Sequence, residues 1–298
     1  MASYVGHHGR GSRSSAPAGG RGRFEPQSFA VCRTARVRKS RWELVVVEVV
    51  VREVVVPKGK NWRLTERDVP VLEWIGRWFG VTAEQVTRQF TGDGGVLPSR
   101  QVVYRRLRAL TSMGLLSAGQ LPGRRAQVFW LTKSATELLN IPGNAVTPNI
   151  KEYNHDLAVV DLAQYISSIR PDDELVTERE IRARDTPNQY ASTEPTYAVS
   201  TGENGRGRRY PDLVGLRPDG TVWAHELERT QKARPRLVRN MLLYVNADHI
   251  SYAMYWAFPK LLKNVESAAE EANASAVELG RGQKIFVRVW DVEERGAE

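Results

Sequence analysis

The tripeptide Pro218-Asp219-Gly220 separates two apolar stretches, at about 209–217 and 221–229. Asp and Gly after Pro are strong turn chemistry, so the two stretches read as the strands of a hairpin. A three-residue loop sets Arg217 opposite Thr221, Leu216 opposite Val222, Val214 opposite Ala224 and Asp212 opposite Glu226. Side chains alternate along a strand, so these residues share one face and Glu228 continues it. The other face carries Leu213, Trp223, His225 and Leu227, so both faces are apolar enough to be covered, with His225 read as packing. Like charges directly opposite destabilise a strand pair. Three carboxylates at one end of a core face therefore need compensation. A divalent cation would supply it; so would nearby arginines such as Arg229, Arg234 and Arg236.

The surrounding segments predict a helix at about 152–170, a strand at 175–183, a long polar loop at 185–208, a helix at 235–246, a strand at 250–258, a helix at 259–272 and a strand at 284–291. Alternation of this kind argues an α/β module with a mixed sheet over residues 150–298.

Upstream, residues 61–143 predict three helices. The first spans about 65–79 with Thr65 as its N-cap, the second 83–90 behind Thr82, and the third 100–113 between Ser99 and Gly114. In the third helix Val103, Leu107 and Leu110 fall on one face. Gln101, Tyr104, Arg105 and Arg108 fall on another, with Arg100 at the helix start. Arginine pairs with guanine and glutamine with adenine in the major groove, so this face suits duplex DNA. Two strands follow, 115–121 and 126–131, with Arg124 and Arg125 at the tip between them, placed to touch phosphates. A short helix begins at Thr132 or Ser134. Three helices followed by a basic two-stranded wing is the winged helix-turn-helix layout. From Ser99 to Lys133 the chain has seven basic residues and no acidic one. The alternative is a protein-binding winged helix with a solvated basic face.

The net charge of +9 is unevenly placed: +8 over residues 1–41, 0 over 42–60, +5 over 61–143 and −4 over 144–298. Residues 1–41 read as a disordered basic tail, rich in Gly, Ser, Ala and Arg over the first thirty. Its arginines would either hold nucleic acid without sequence preference or simply be solvated. Residues 42–60 hold the valine-dense LVVVEVVVREVVV, which favours a strand or hairpin.

A hydrophobic fraction of 41% excludes wholesale disorder. The single cysteine, Cys32, excludes an intrachain disulfide and a multi-cysteine zinc site. No stretch approaches the roughly 18 apolar residues of a membrane span, and no secretory signal is expected, so the default compartment is the cytoplasm. Histidines at 7, 8, 155, 225 and 249 form no metal-binding triad, and no GxxxxGK[ST] phosphate loop is present. Residues 202–207 (GENGRG) precede a strand rather than a helix, which argues against a nucleotide cradle.

Tyr210-Pro211-Asp212, a turn, then His225-Glu226-Leu227-Glu228 with Lys232 just after, resembles the PD-(D/E)xK nuclease core. With the upstream winged helix and the stretches His155-Asp156-Leu157 and Glu178-Arg179-Glu180-Ile181-Arg182, the chain resembles the replication-relaxation family of plasmids and integrative elements, over about 62–260. The resemblance implies a restriction-endonuclease-like domain with Asp212 and Glu226 as ligands for Mg²⁺ or Mn²⁺. It implies Glu180 as a further acid and Lys232 as the lysine that positions or activates water. It departs from the pattern at Glu228, which stands where that lysine is expected. Glu228 is then a water-activating base or a second-metal ligand, and Lys232 would have to reach in from the following segment. Phosphodiester hydrolysis uses such a set, because the metal polarises phosphate and acidifies bound water.

The expected function is sequence-specific binding of double-stranded DNA at a plasmid or mobile-element origin, in replication initiation or in relaxation for conjugative transfer, with Mg²⁺-dependent nicking. The alternative is a non-catalytic regulator or relaxosome accessory protein whose nuclease fold serves dimerisation or DNA bending. The expected partners are origin DNA, relaxosome or replication proteins and a second copy of the chain, with no membrane.

Overall fold

The computed structural model describes residues 31–40, 43–51, 63–91, 99–120, 126–186, 194–201 and 207–291. The chain divides into two compact units, Met1–Val55 and Val56–Glu298. In the first, β1 (Val31–Ser40) and β2 (Glu43–Val51) pair antiparallel, with Cys32 opposite Val50. The valine run is a strand, as its χ1-stiff side chains favour. Its partner, 31–40, falls in the segment that composition assigns to a tail. Unlike residues 1–30, this stretch has neither Gly nor Pro and includes Val31, Thr34 and Val37. Residues 1–30 of that expected tail lie outside the described residues.

The second unit begins with α1 (Asp68–Gly76), β3 (Val81–Thr82), α2 (Ala83–Phe90), α3 (Arg100–Ser112), β4 (Leu116–Gln120), β5 (Gln127–Leu131) and α4 (Lys133–Leu138). Caps set most of these boundaries. Thr82 and Gln85 form a reciprocal capping box on α2. Ser99 and Thr132 cap α3 and α4. Gly114, at φ 74°, supplies the left-handed residue after α3. Thr65 does not cap α1. The helix starts later, and the Asp68 carboxylate turns back to accept from the Thr65 N–H and hydroxyl. The three strands form one antiparallel sheet in the order β3-β5-β4.

Next come α5 (Tyr153–Ile169), β6 (Glu174–Thr177), α6 (Glu178–Asp185), β7 (Val199–Thr201), β8 (Gly207–Arg209), β9 (Leu213–Leu216), β10 (Val222–Glu228), α7 (Arg234–Asn246), β11 (Tyr252–Ala257), α8 (Pro259–Glu278) and β12 (Ile285–Val289). A mixed five-stranded sheet has the order β12-β11-β10-β9-β6. β9 runs antiparallel to β6 and β10, and β11 parallel to β10 and β12. The hairpin register matches the sequence expectation at Leu216–Val222 and Val214–Ala224, with Gly220 at φ 85° completing the turn.

One expectation fails here. Residues 175–183 are not a single strand: β6 stops at Thr177, whose side chain caps α6 in a box with Glu180. The expected long loop also contains the short antiparallel pair β7–β8.

On one sheet face Val214, Leu216 and Val222 pack against Ile181 of α6 and Ala198, while Tyr244 of α7 meets Tyr255 edge-on. On the other, Tyr165 of α5 meets Trp256 and Trp290. Helix α5 also faces the N-terminal helices: Tyr153 and Leu157 pack on Val128, and the Gln85 amide donates to the Leu157 carbonyl at 2.7 Å. The last carbonyls of α1, which no helical N–H can reach, accept from α6 and its cap. Buried Arg179 donates to the Gly76 carbonyl, and the Thr177 hydroxyl to that of Arg77 at 2.8 Å. The two modules expected from the sequence thus belong to one compact unit.

Candidate functional site

Helix α3 divides as its spacing requires. Val103, Leu107 and Leu110 are at most 1% exposed, while Gln101, Tyr104, Arg105 and Arg108 face solvent. Among the described residues no acidic group pairs with Arg105 or Arg108. The seven-residue positive run is not wholly uncompensated, however, because acids outside the run reach into it. Arg100 pairs with Glu84 at 3.1 Å and lies over the Tyr104 ring. Lys133 pairs with Glu137. Arg106 turns inward, forks onto buried Asp68 and donates to the Arg63 carbonyl, which fixes α3 against the start of α1. Arg124 and Arg125 lie outside the described residues.

The hairpin carboxylates form a second site at the C-terminal end of β10. Asp212 sits one residue before β9, so the rung to Glu226 is not part of the ladder; its Oδ2 accepts instead from the Leu227 N–H at 2.7 Å. Asp212, Glu226 and Glu228 are all buried, and each is met by a cation of the chain. His155 Nε2 lies 3.0 Å from Asp212 Oδ1. Arg209 Nη2 donates to Glu226 Oε2 at 2.6 Å, and the Tyr244 hydroxyl donates to Oε1. Lys232 Nζ lies 2.8 and 2.7 Å from the two Glu228 oxygens. Lys232 therefore does reach the third motif position from the following segment. Of the arginines suggested by proximity in sequence, Arg234 pairs with Glu271, and Arg229 lies over the Phe258 ring.

Glu180 is not brought to this cluster. Its carboxylate caps α6 and pairs with Arg77 at 2.9 and 3.1 Å. Glu178 stands there instead, its N–H donating to the Asp212 carbonyl at 3.2 Å. A small cavity joins Asp156, Glu178 and Asp212 to Arg77, Trp78 and Arg179. A reading of 175–183 as a strand could not separate Glu178 from Glu180. The helical period with the Thr177–Glu180 box would have done so. Arg209, Tyr244 and Tyr255 have no local signal, because they come from three other elements.

The charges set one another. Burial works against protonating His155, but the Asp212 carboxylate outweighs it and raises the imidazole to about 9. Burial would likewise raise Asp212, yet His155, the Leu227 N–H and Arg209 hold it below the ordinary carboxylate value. Burial raises Glu226 to about 7, against Arg209, and raises Asp156 to about 7, against His155. On the opposite face burial lowers His225 to about 3, with Arg217 adding to the effect. The Trp256 indole donates to His225 Nδ1 at 3.2 Å, so His225 is a packed neutral ring, as its strand parity predicts.

Asp212, Glu226 and Glu228 offer carboxylate oxygens, which suit a hard cation such as Mg²⁺. Their arrangement does not. Among the described residues no group of three or more His, Cys, Asp or Glu side chains is placed to hold a metal ion, and both Glu226 oxygens are already bonded. The site is a set of carboxylates neutralised from within the chain. No helix among the described residues is long and apolar enough to cross a membrane. No protein-family model, curated protein or solved structure matches this chain.

Proposed function

We propose that the protein binds double-stranded DNA in a sequence-specific manner, with α3 in the major groove. The observation that carries this reading is the exposed face Gln101, Tyr104, Arg105 and Arg108 on a helix whose opposite face is buried. Arg and Gln are the side chains that read guanine and adenine edges. The sheet order β3-β5-β4 around α1, α2 and α3 agrees with a winged helix, in which β4 and β5 form the wing. Arg106 serves this role indirectly, by holding α3 to Asp68. With the resemblance stated above, the DNA is the origin region of a mobile element, and the setting is replication initiation or relaxation for transfer alongside other origin-bound proteins. The test is binding of duplexes selected from a random pool. Arg105→Ala and Arg108→Ala should each weaken binding by about 1–3 kcal/mol and relax the preference at the base that is read. Unchanged binding would overturn the assignment.

One observation favours a second reading, a DNA nickase. The order β6-β9-β10-β11, with β11 parallel to β10 and Asp212, Glu226 and Glu228 at one end, agrees with a PD-(D/E)xK core. Nicking of supercoiled plasmid in Mn²⁺ that is lost in Asp212→Ala supports it; tight binding without nicking supports the regulator.

A further inference from the structure

We propose that the Arg209 guanidinium is a built-in counter-cation: it occupies the cation position at Glu226 and excludes a divalent ion from that carboxylate. This deepens the second reading and rests on its view of these carboxylates as a cation-binding end. Asp212 and Glu226 belong to the ends of adjacent strands of the five-stranded sheet. Arg209 comes from β8, part of a separate two-stranded pair. It crosses to Glu226 at 2.6 Å, and its side chain is 22% exposed while that of Glu226 is 6% exposed. The cation thus sits on the solvent side of a buried carboxylate. A second observation shows that the cluster is incomplete. Tyr255 lies beside Glu226 in register on β11 and is fully buried, and its hydroxyl has no hydrogen-bond partner. A buried hydroxyl left without a partner costs free energy, and this one belongs to the residue in register with the carboxylate that Arg209 holds.

The electrostatics fix the direction of the effect. Arginine is always charged, and Arg209 meets Glu226 through Nη2. With the guanidinium removed, Asp212 and Glu226 repel each other, and the cluster must take up a proton or a cation. A divalent ion then meets a freed Glu226 oxygen without having to displace the guanidinium, while His155 and Lys232 stay on Asp212 and Glu228.

Mn²⁺ binding to the full chain, without DNA, tests this by electron paramagnetic resonance. Arg209→Gln should bind Mn²⁺ at least about tenfold tighter than wild type, a difference of about 1.4 kcal/mol. Arg209→Lys, which keeps the charge, should stay near wild type, and adding Glu226→Gln to Arg209→Gln should abolish the gain. Equal Mn²⁺ affinity in wild type and Arg209→Gln overturns the proposal. If Arg209→Gln is destabilised, Mn²⁺ should restore its melting temperature; a variant that stays unfolded in Mn²⁺ overturns it equally. Nicking is not read in this assay, so a protein that never cuts DNA can still give the expected result.

Discussion

The imidazole Nε2 of His155, at the start of α5, lies 3.0 Å from Oδ1 of Asp212, 57 residues further along the chain. Asp212 in turn accepts from the Leu227 N–H of β10. One carboxylate thus ties the helix that faces the N-terminal module to the central strand of the sheet. A one-residue shift of the hairpin would turn Asp212 away from both partners.

This pair makes stability depend on pH in a stated direction. The folded His155 value of about 9 lies above the ordinary 6.5. Its contribution is therefore fully present below pH 6.5 and is lost as pH rises through about 9. The difference in melting temperature between wild type and His155→Gln should be largest below pH 6.5 and vanish above pH 9. A difference that does not change across this window would refute the pairing.

His225 should behave in the opposite way. Its folded value, about 3, lies below 6.5, so the unfolded chain takes up a proton that the fold refuses. Stability should fall as pH drops from 6.5 toward 3. His225→Asn keeps an acceptor for the Trp256 indole and does not titrate, so its melting temperature should fall less steeply over that range. Equal slopes would show that His225 is not held neutral.

Adjacent arginines on α3 should separate cleanly. Arg106→Ala breaks the ion pair to Asp68, which is 1% exposed, and should cost about 3 kcal/mol in chemical denaturation. Arg105→Ala touches only solvent and should leave the denaturation midpoint in place. Similar losses from both would mean that the two faces of α3 are misassigned.

The Val56–Glu298 unit should melt in one calorimetric transition, because α5 and α6 pack on both the three-stranded and the five-stranded parts. Arg179→Met leaves the Gly76 and Asn144 carbonyls without their donor and should cost about 2 kcal/mol. Two resolved transitions in wild type would contradict a shared interior.

The hairpin was legible because its turn residues are chemically specific: Pro218-Asp219-Gly220 alone predicts which residues of β9 and β10 face one another. Helix α3 was legible because its apolar and polar residues keep separate periods. Helix α6 was not, since Ile181 is its only large apolar side chain and Thr177 ends a strand as it starts the helix. The three carboxylates were legible as a group in need of positive charge. Which cations would answer was not: His155 comes from α5, Arg209 from β8 and Lys232 from the segment between β10 and α7, and only Lys232 lies close to its partner in sequence. Pairing at long sequence separation leaves no periodic trace.

The proposed reading of duplex DNA by α3 is decided by how affinity and its salt dependence respond to loss of the exposed arginines. Dissociation constants for the selected duplex should be measured over a range of salt for wild type and for Arg105→Ala/Arg108→Ala. Groove reading by α3 requires a steep salt dependence in wild type, a loss of affinity of tenfold or more in the double variant by the scale of about 1–3 kcal/mol per specific arginine contact, and a shallower slope. Identical affinity and slope in the two proteins would contradict it.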